Sequence, residues 1–228
     1  MMKDAHPQLF FTLDDFTHKE LFTNSHYVWD ALKQLTSYLD TKSLGEKNSM
    51  VPEGVCLVKS HLITIGKDCV IEPGAYIEGP CIIGDGTIIR HGSYIRGYVV
   101  TGNSCVIGHA TEVKHSIFLN RAKAAHFNYV GDSILGNDTN LGAGVICANL
   151  RIDKKNIHVM VDGKRLDTQM QKLGLILADG AQMGCNSVSN PGTLMGRGSM
   201  CFPCVNVSGA VPDKSIVKGS KFSIEASE

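Results

Sequence analysis

A six-residue beat constrains this chain more than any other feature. Ile65, Ile71, Ile77, Ile83, Ile89 and Ile95 stand six apart, and the spacing continues through Thr101, Ile107, Val113 and Leu119. The fifth place of each unit is small or β-branched: Cys69, Ala75, Cys81, Thr87, Ser93, Val99, Cys105 and Thr111. Gly66, Gly84, Gly102 and Gly108 fall at the second place. A short fixed period marks a solenoid, in which each repeat buries the face of its neighbour.

The physics of the beat defines the architecture. Each unit supplies a short strand and a turn, and three units close one triangular coil of eighteen residues. The aliphatic residue points inward, the fifth-place residue fits the tight corner, and glycine eases the turn. Coils stack at the usual strand spacing of about 4.8 Å. The expected fold is an all-β solenoid, a parallel β-helix of hexapeptide repeats.

At 228 residues the chain accommodates one such prism with an appendage. Its formal net charge of zero excludes a broad nucleic-acid or acidic-lipid footprint. There is neither a bilayer-length apolar run nor a signal-type start, so a soluble, cytoplasmic protein is expected. The eight cysteines read as reduced thiols, since Cys69, Cys81 and Cys105 occupy inward corners as small hydrophobes. Cys201-Phe202-Pro203-Cys204 mimics a redox or metal pair, but no second ligand pair stands near it.

Three blocks follow from the pattern. Residues 1–50 lack the beat; Leu13–Phe16 and the spacing of Val28, Leu32, Leu35 and Leu39 predict two short helices. This helical appendage is expected to cap the blunt first coil. The prism spans 51–212, and 213–228 forms a tail. Two excursions interrupt the beat, at 125–134 and 147–176; Val159–Leu166 within the second reads as a hairpin around Asp162-Gly163. Seventeen hexads amount to nearly six coils.

The chemistry-bearing residues cluster near these excursions. Arg96 and Lys114 are eighteen apart and stack on adjacent coils. Two stacked cations repel, which points either to an anion such as phosphate between them or to pairing with Glu78 or Glu112. His126 lies in the first interruption and offers a neutral-pH base. Tyr129, Asn140, Asn149, Lys154 and Lys155 follow within thirty residues.

Lys123-Ala124-Ala125-His126-Phe127-Asn128-Tyr129-Val130-Gly131-Asp132, with Glu112-Val113-Lys114 before it and Asn140–Gly144 and Ala148-Asn149-Leu150 after it, carries a resemblance. It resembles the acetyltransferase half of the bifunctional glucosamine-1-phosphate acetyltransferase/N-acetylglucosamine-1-phosphate uridylyltransferase family. The archaeal-type sugar-1-phosphate nucleotidylyltransferase/acetyltransferase variant is the nearer match, through Ala148–Arg151, the hairpin and the stretch Leu21–Leu32. The resemblance implies a left-handed β-helix, a homotrimer, and acetyl transfer from acetyl-CoA to the amine of glucosamine-1-phosphate in UDP-N-acetylglucosamine synthesis, with no metal. It makes His126 the general base. Arg96, Lys114, Tyr129 and Asn140 would hold the sugar phosphate, and Lys155 would reach it from a neighbouring subunit. Ala143, Asn149, Cys185 and Pro203 would fall along the donor, and Lys214, Lys218 and Lys221 are candidates for its phosphate.

The departures define the alternatives. Residues 1–50 are too few for a nucleotidylyltransferase domain, so a separate protein would supply the uridylyl step. Ala125 stands where the family has glycine, and Cys185 and Pro203 replace small hydroxyl or alanine residues. The rival readings are an acyltransferase with another donor, a non-catalytic sugar-phosphate-binding partner of that nucleotidylyltransferase, and a zinc hydratase using His91, His109 and His115.

Overall fold

The computed structural model describes residues 4–219 and the backbone of 222–224. Short strands stack into three parallel sheets, the faces of a triangular prism. The first sheet holds eight strands, beginning with Cys56–Val58, Tyr76–Glu78, Tyr94–Arg96, Glu112–Lys114, Tyr129–Gly131 and Ile146–Cys147. The second also holds eight, from Ile63–Ile65 to Ala210–Val211. The third runs from Val70–Ile71 to Ser215–Val217, with Phe222–Ile224 added antiparallel at its end. The fold is the expected left-handed parallel β-helix with a short helical appendage. The described residues form eight stacked coils rather than nearly six, because the coils continue through the first interruption and beyond residue 212.

The interior is one aliphatic column. Ile65, Ile71, Ile77, Ile83, Ile89, Ile95, Ile107 and Val113 are buried in a single cluster with Cys69, Cys81, Cys105, Cys147 and Cys201. Each such aliphatic side chain contributes about 1.5–3 kcal/mol on removal from water. Burial pushes the Cys81, Cys105 and Cys147 thiols up to about 12, so they stay protonated and inert.

The expected excursion at 125–134 is not an excursion. Glu112 pairs with Tyr94, eighteen residues earlier, whereas Tyr129 pairs with Glu112 and Ile146 with Tyr129, seventeen apart. Two consecutive coils are each one residue short. The loss falls at the corner between the first and second sheets, where Lys114-His115-Ser116 replaces Arg96-Gly97-Tyr98-Val99. The shorter turn also brings Phe118 into the core in place of Leu119, which faces outward. The true excursion leaves from this same corner after Cys147 and returns at Leu175, and its hairpin pairs His158–Val161 with Lys164–Asp167.

The appendage does not cap the first coil. It consists of α1 (Pro7–Phe10), α2 (Glu20–Thr23) and α3 (Asp30–Asp40); Leu13–Phe16 is a turn rather than a helix. Phe10, Phe11, Phe16, Trp29, Leu32 and Leu35 pack with Ile82, Val100, Ile117, Ile134, Ile176 and Leu194, the outward residues of the second sheet. That sheet is apolar on both sides, so its outer face binds the helices more favourably than the small coil end could. The first coil is closed instead by the linker. Lys47 bridges to Ile65, Asn48 donates its amide to the Ile65 carbonyl, and the Lys47 ammonium donates to the carbonyls of Gly45 and Ser60.

The corner between the second and third sheets carries a polar ladder. Backbone amides of Lys67, Asp85, Asn103, Asn120 and Asn137 donate to Asp85, Asn103, Asn120, Asn137 and Asp179 on the next coil. These side chains satisfy turn amides that strand pairing leaves over.

Candidate functional site

The first sheet presents an outer face between two unlike edges. One edge is the corner leading in from the third sheet. There Ala110 donates its amide to the His91 carbonyl, Phe127 to His109, Gly144 to His126, Asn186 to Ala143 and Cys204 to Cys185. These repeated contacts set His91, His109, His126, Ala143 and Cys185 in one rising row, with Pro203 next. His126 and three of the four residues expected along the donor therefore share an edge.

His126 ends the third-sheet strand Lys123–His126 and its side chain is exposed. Its ring lies 6.3 Å from that of Phe127, which projects into solvent from a left-handed corner position. The imidazoles of His91 and His109 stack at 5.7 Å. His91 Nδ1 donates to the Pro73 carbonyl at 2.7 Å and His109 Nδ1 to the His91 carbonyl at 2.9 Å. His115 stands at the opposite corner, beside Tyr98 and Asp132. Within one chain His91 and His109 thus share an edge and His115 stands on another; among the described residues no group of three metal-binding side chains converges.

The other edge is the shortened corner. Register places Arg96 level with Lys114, as the spacing predicts. The open pair of repelling cations does not exist, however. Arg96 Nη1 lies 2.7 Å from Glu112 Oε1, and Lys114 Nζ lies 3.0 Å from Asp132 Oδ2. Each cation has its own carboxylate because Glu112 lies on the same outer face and the lost residue turns Asp132 back towards Lys114. Glu78, the other sequence candidate, pairs with Lys59.

These two ion pairs differ in kind. Arg96 and Glu112 are well exposed, so water screens them and another anion can displace the carboxylate at little cost. Asp132 is only 7% exposed and Lys114 18%. His115 Nδ1 also lies 3.0 Å from Asp132, close enough for attraction but without hydrogen-bond alignment. The Asn149 amide donates to the same carboxylate. Burial pushes the Asp132 carboxyl up, but His115, Lys114 and Asn149 together pull it below its ordinary value. An ammonium has three donors, so Lys114 can hold Asp132 and still offer hydrogens outward.

Tyr129 lies on the same face. A Cβ at position 131 would come within 2.6 Å of its hydroxyl and 2.7 Å of the Asn149 amide, so a larger residue there would push both groups aside. Burial raises the Tyr129 phenol, with Asp132 and Glu112 adding to the shift, so the group remains a neutral donor. Asn149 belongs to this cluster and stands across the face from Ala143, Cys185 and Pro203.

Two further expected residues are not gathered in within one chain. Asn140 begins a strand of the third sheet, between Lys123 and Gln182. Lys155 is exposed on the excursion, its amide donating to Asp153 at 3.3 Å. Near that loop a cleft of about 650 Å³ is lined by Ala148, Leu150, Arg151, Ile152, Asp153, Asn190 and Pro191. Among the basic candidates for the donor phosphate, Lys218 lies 5.4 Å over the Phe202 ring, beside Pro203. Lys221 is outside the described residues. Cys201 faces the core with Ser187, so it does not pair with exposed Cys204 as a redox motif.

A family model described as bacterial transferase hexapeptide (six repeats) matches residues 63–97. Over these residues the chain is similar to the hexapeptide-repeat family. The hexapeptide-repeat chain is 37% identical over 113 residues to a bifunctional sugar-1-phosphate nucleotidylyltransferase/acetyltransferase of Sulfurisphaera tokodaii, covering 50% of this chain and 27% of that protein. It is 41% identical over 86 residues to the bifunctional protein GlmU of Methanocaldococcus jannaschii, covering 38% of this chain and 21% of that one. The match thus spans about a quarter of these relatives' length. A solved UDP-N-acetylglucosamine acyltransferase of Francisella novicida aligns with a TM-score of 0.49 at 16% identity, over 75% of this chain and 65% of that one. No described helix is long and apolar enough to cross a membrane.

Proposed function

We propose that this hexapeptide-repeat chain is an N-acetyltransferase that moves an acetyl group from acetyl-CoA to the amine of glucosamine-1-phosphate or a related hexosamine-1-phosphate. The carrying observation is the pairing of edges on one face. An exposed imidazole stands in a row with Ala143, Cys185 and Pro203, opposite a corner that presents Lys114, Arg96 and Tyr129. The name of the Sulfurisphaera tokodaii relative, which joins sugar-1-phosphate and acetyltransferase functions, favours the same chemistry.

The reaction asks little of the protein. The amine attacks the thioester carbonyl, its proton passes to His126, and the thiol of coenzyme A departs. A held amine and a base suffice, and no covalent intermediate is needed. Lys114, pre-aimed by Asp132, attracts the phosphate; Arg96 exchanges Glu112 for it; Tyr129 donates its hydroxyl. Strand rise places about 10 Å between the two edges, so a neighbouring copy contributes to a closed site, with Lys155 and Asn140 as its contribution in a homotrimer. A separate nucleotidylyltransferase would consume the product.

The test is thiol release with acetyl-CoA across a panel of amino-sugar phosphates, alongside calorimetric titration of each substrate alone. Turnover with a hexosamine-1-phosphate supports the reading. Sugar-phosphate binding without turnover would replace it with the non-catalytic alternative.

A further inference from the structure

Three cysteines of this chain are exposed, Cys56, Cys185 and Cys204, and the other five are buried. Cys56 sits on the first strand of the first sheet, at the far end of the prism from the other two. Cys185 and Cys204 are neighbours across coils. The Cys204 amide donates to the Cys185 carbonyl at 2.8 Å. Register supports this, since Met200 pairs with Gln182 and Cys201 with Met183, which puts Pro203 level with Cys185 and Cys204 one step further on. A coil spacing with a one-residue offset sets their Cα atoms roughly 6 Å apart. That lies within the roughly 4.4–6.8 Å that a disulfide spans. Cys204 is also held in a left-handed corner conformation, at φ 59°, and both residues are exposed. The adjacent alternative in sequence, Cys201, is turned inward and hydrogen-bonded to Ser187.

We propose that Cys185 and Cys204 are a modification site, a dithiol that closes to a reversible disulfide between neighbouring coils. The geometry is independent of the acyl-transfer reading. With a peroxide as oxidant, one thiolate attacks the peroxide oxygen, becomes a sulfenic acid and releases water. The second thiolate then attacks that sulfur, forms the S–S bond and expels the hydroxyl as a second water. Two thiols lose two protons and two electrons, and one peroxide is reduced to two waters. A dithiol reductant reverses the change. The pair lies on the edge shared by His126 and Ala143, so its closure would stiffen the side of the face where the donor is proposed to lie.

The experiment treats reduced full-length protein with hydrogen peroxide, blocks remaining thiols with an alkylating reagent, and maps peptides by mass spectrometry without reduction. A cross-linked peptide joining Cys185 to Cys204 is expected, with Cys56 still alkylated and the link lost on adding dithiothreitol. Cys185→Ser and Cys204→Ser, both at exposed positions, should each abolish the link while the protein keeps its melting temperature. Independent alkylation of both thiols after peroxide, or sulfinic acids on each without a cross-link, overturns the proposal. A cross-link from Cys204 to any other cysteine overturns it equally.

Discussion

His126 carries the proposed proton transfer from an exposed corner, so its removal should touch little packing. His126→Ala is expected to lower turnover by about two to four orders of magnitude, with an unchanged melting temperature by calorimetry. Asp132 is the opposite case. Asp132→Asn leaves Lys114 partly buried without its counter-charge, and a stability loss of about 1–3 kcal/mol is expected in denaturant titration. Because the native Asp132 carboxyl titrates below its ordinary value, its contribution is present at neutral pH. It is lost as pH falls from the ordinary carboxylate range through the depressed native value. The variant should lack that acid-side component, and the KM for sugar phosphate should rise more than kcat falls. The spacing of Arg96 and Lys114 correctly gave their shared level, while their pairing with separate carboxylates depended on side-chain directions at a shortened corner. Asp132 stands eighteen residues after Lys114, so this partner was legible from the regular spacing alone; the shortened corner sets it one step past the level of Lys114.

At the scale of elements, the phase slip between Leu119 and Leu135 was visible as an interruption but not as two short coils. A second signal records the coil lengths directly. Asp85, Asn103, Asn120 and Asn137 stand at intervals of eighteen, seventeen and seventeen, the same rungs that the backbone ladder uses. Reading turn residues alongside aliphatic ones would have located the deletions, because the corner chemistry follows the coil whatever its length. The helix over Asp30–Asp40 was legible from its apolar spacing; its docking site was not, since the outer face of the second sheet is apolar only at the middle residue of each short strand. The appendage brings its own pH dependence. His18 is buried against Tyr38, Nδ1 to hydroxyl 2.8 Å, and burial lowers its pKa from 6.5 to about 4. The unfolded chain therefore takes up a proton first as pH falls, and stability drains between pH 6.5 and about 4. The loss approaches about 3 kcal/mol at the lower limit. His18→Gln should flatten that part of the stability–pH curve, measured by thermal unfolding in parallel buffers.

The whole molecule uses its three faces differently. The helices and the hairpin cover the second, while the outer faces of the first and third keep exposed Tyr94, Ile146, Val70 and Met200. The proposed assembly is a trimer, and light scattering should give about three times the 24.6 kDa chain mass; a particle of one chain mass contradicts it. The central claim is that His126 serves acyl transfer to an amino-sugar phosphate on this prism. Thiol release from acetyl-CoA with glucosamine-1-phosphate, compared between the native chain and His126→Ala, tests it most directly. The account predicts turnover for the first and its near-total loss in the second at unchanged fold; equal rates for the two, or none for the native chain with any hexosamine-1-phosphate, would contradict it.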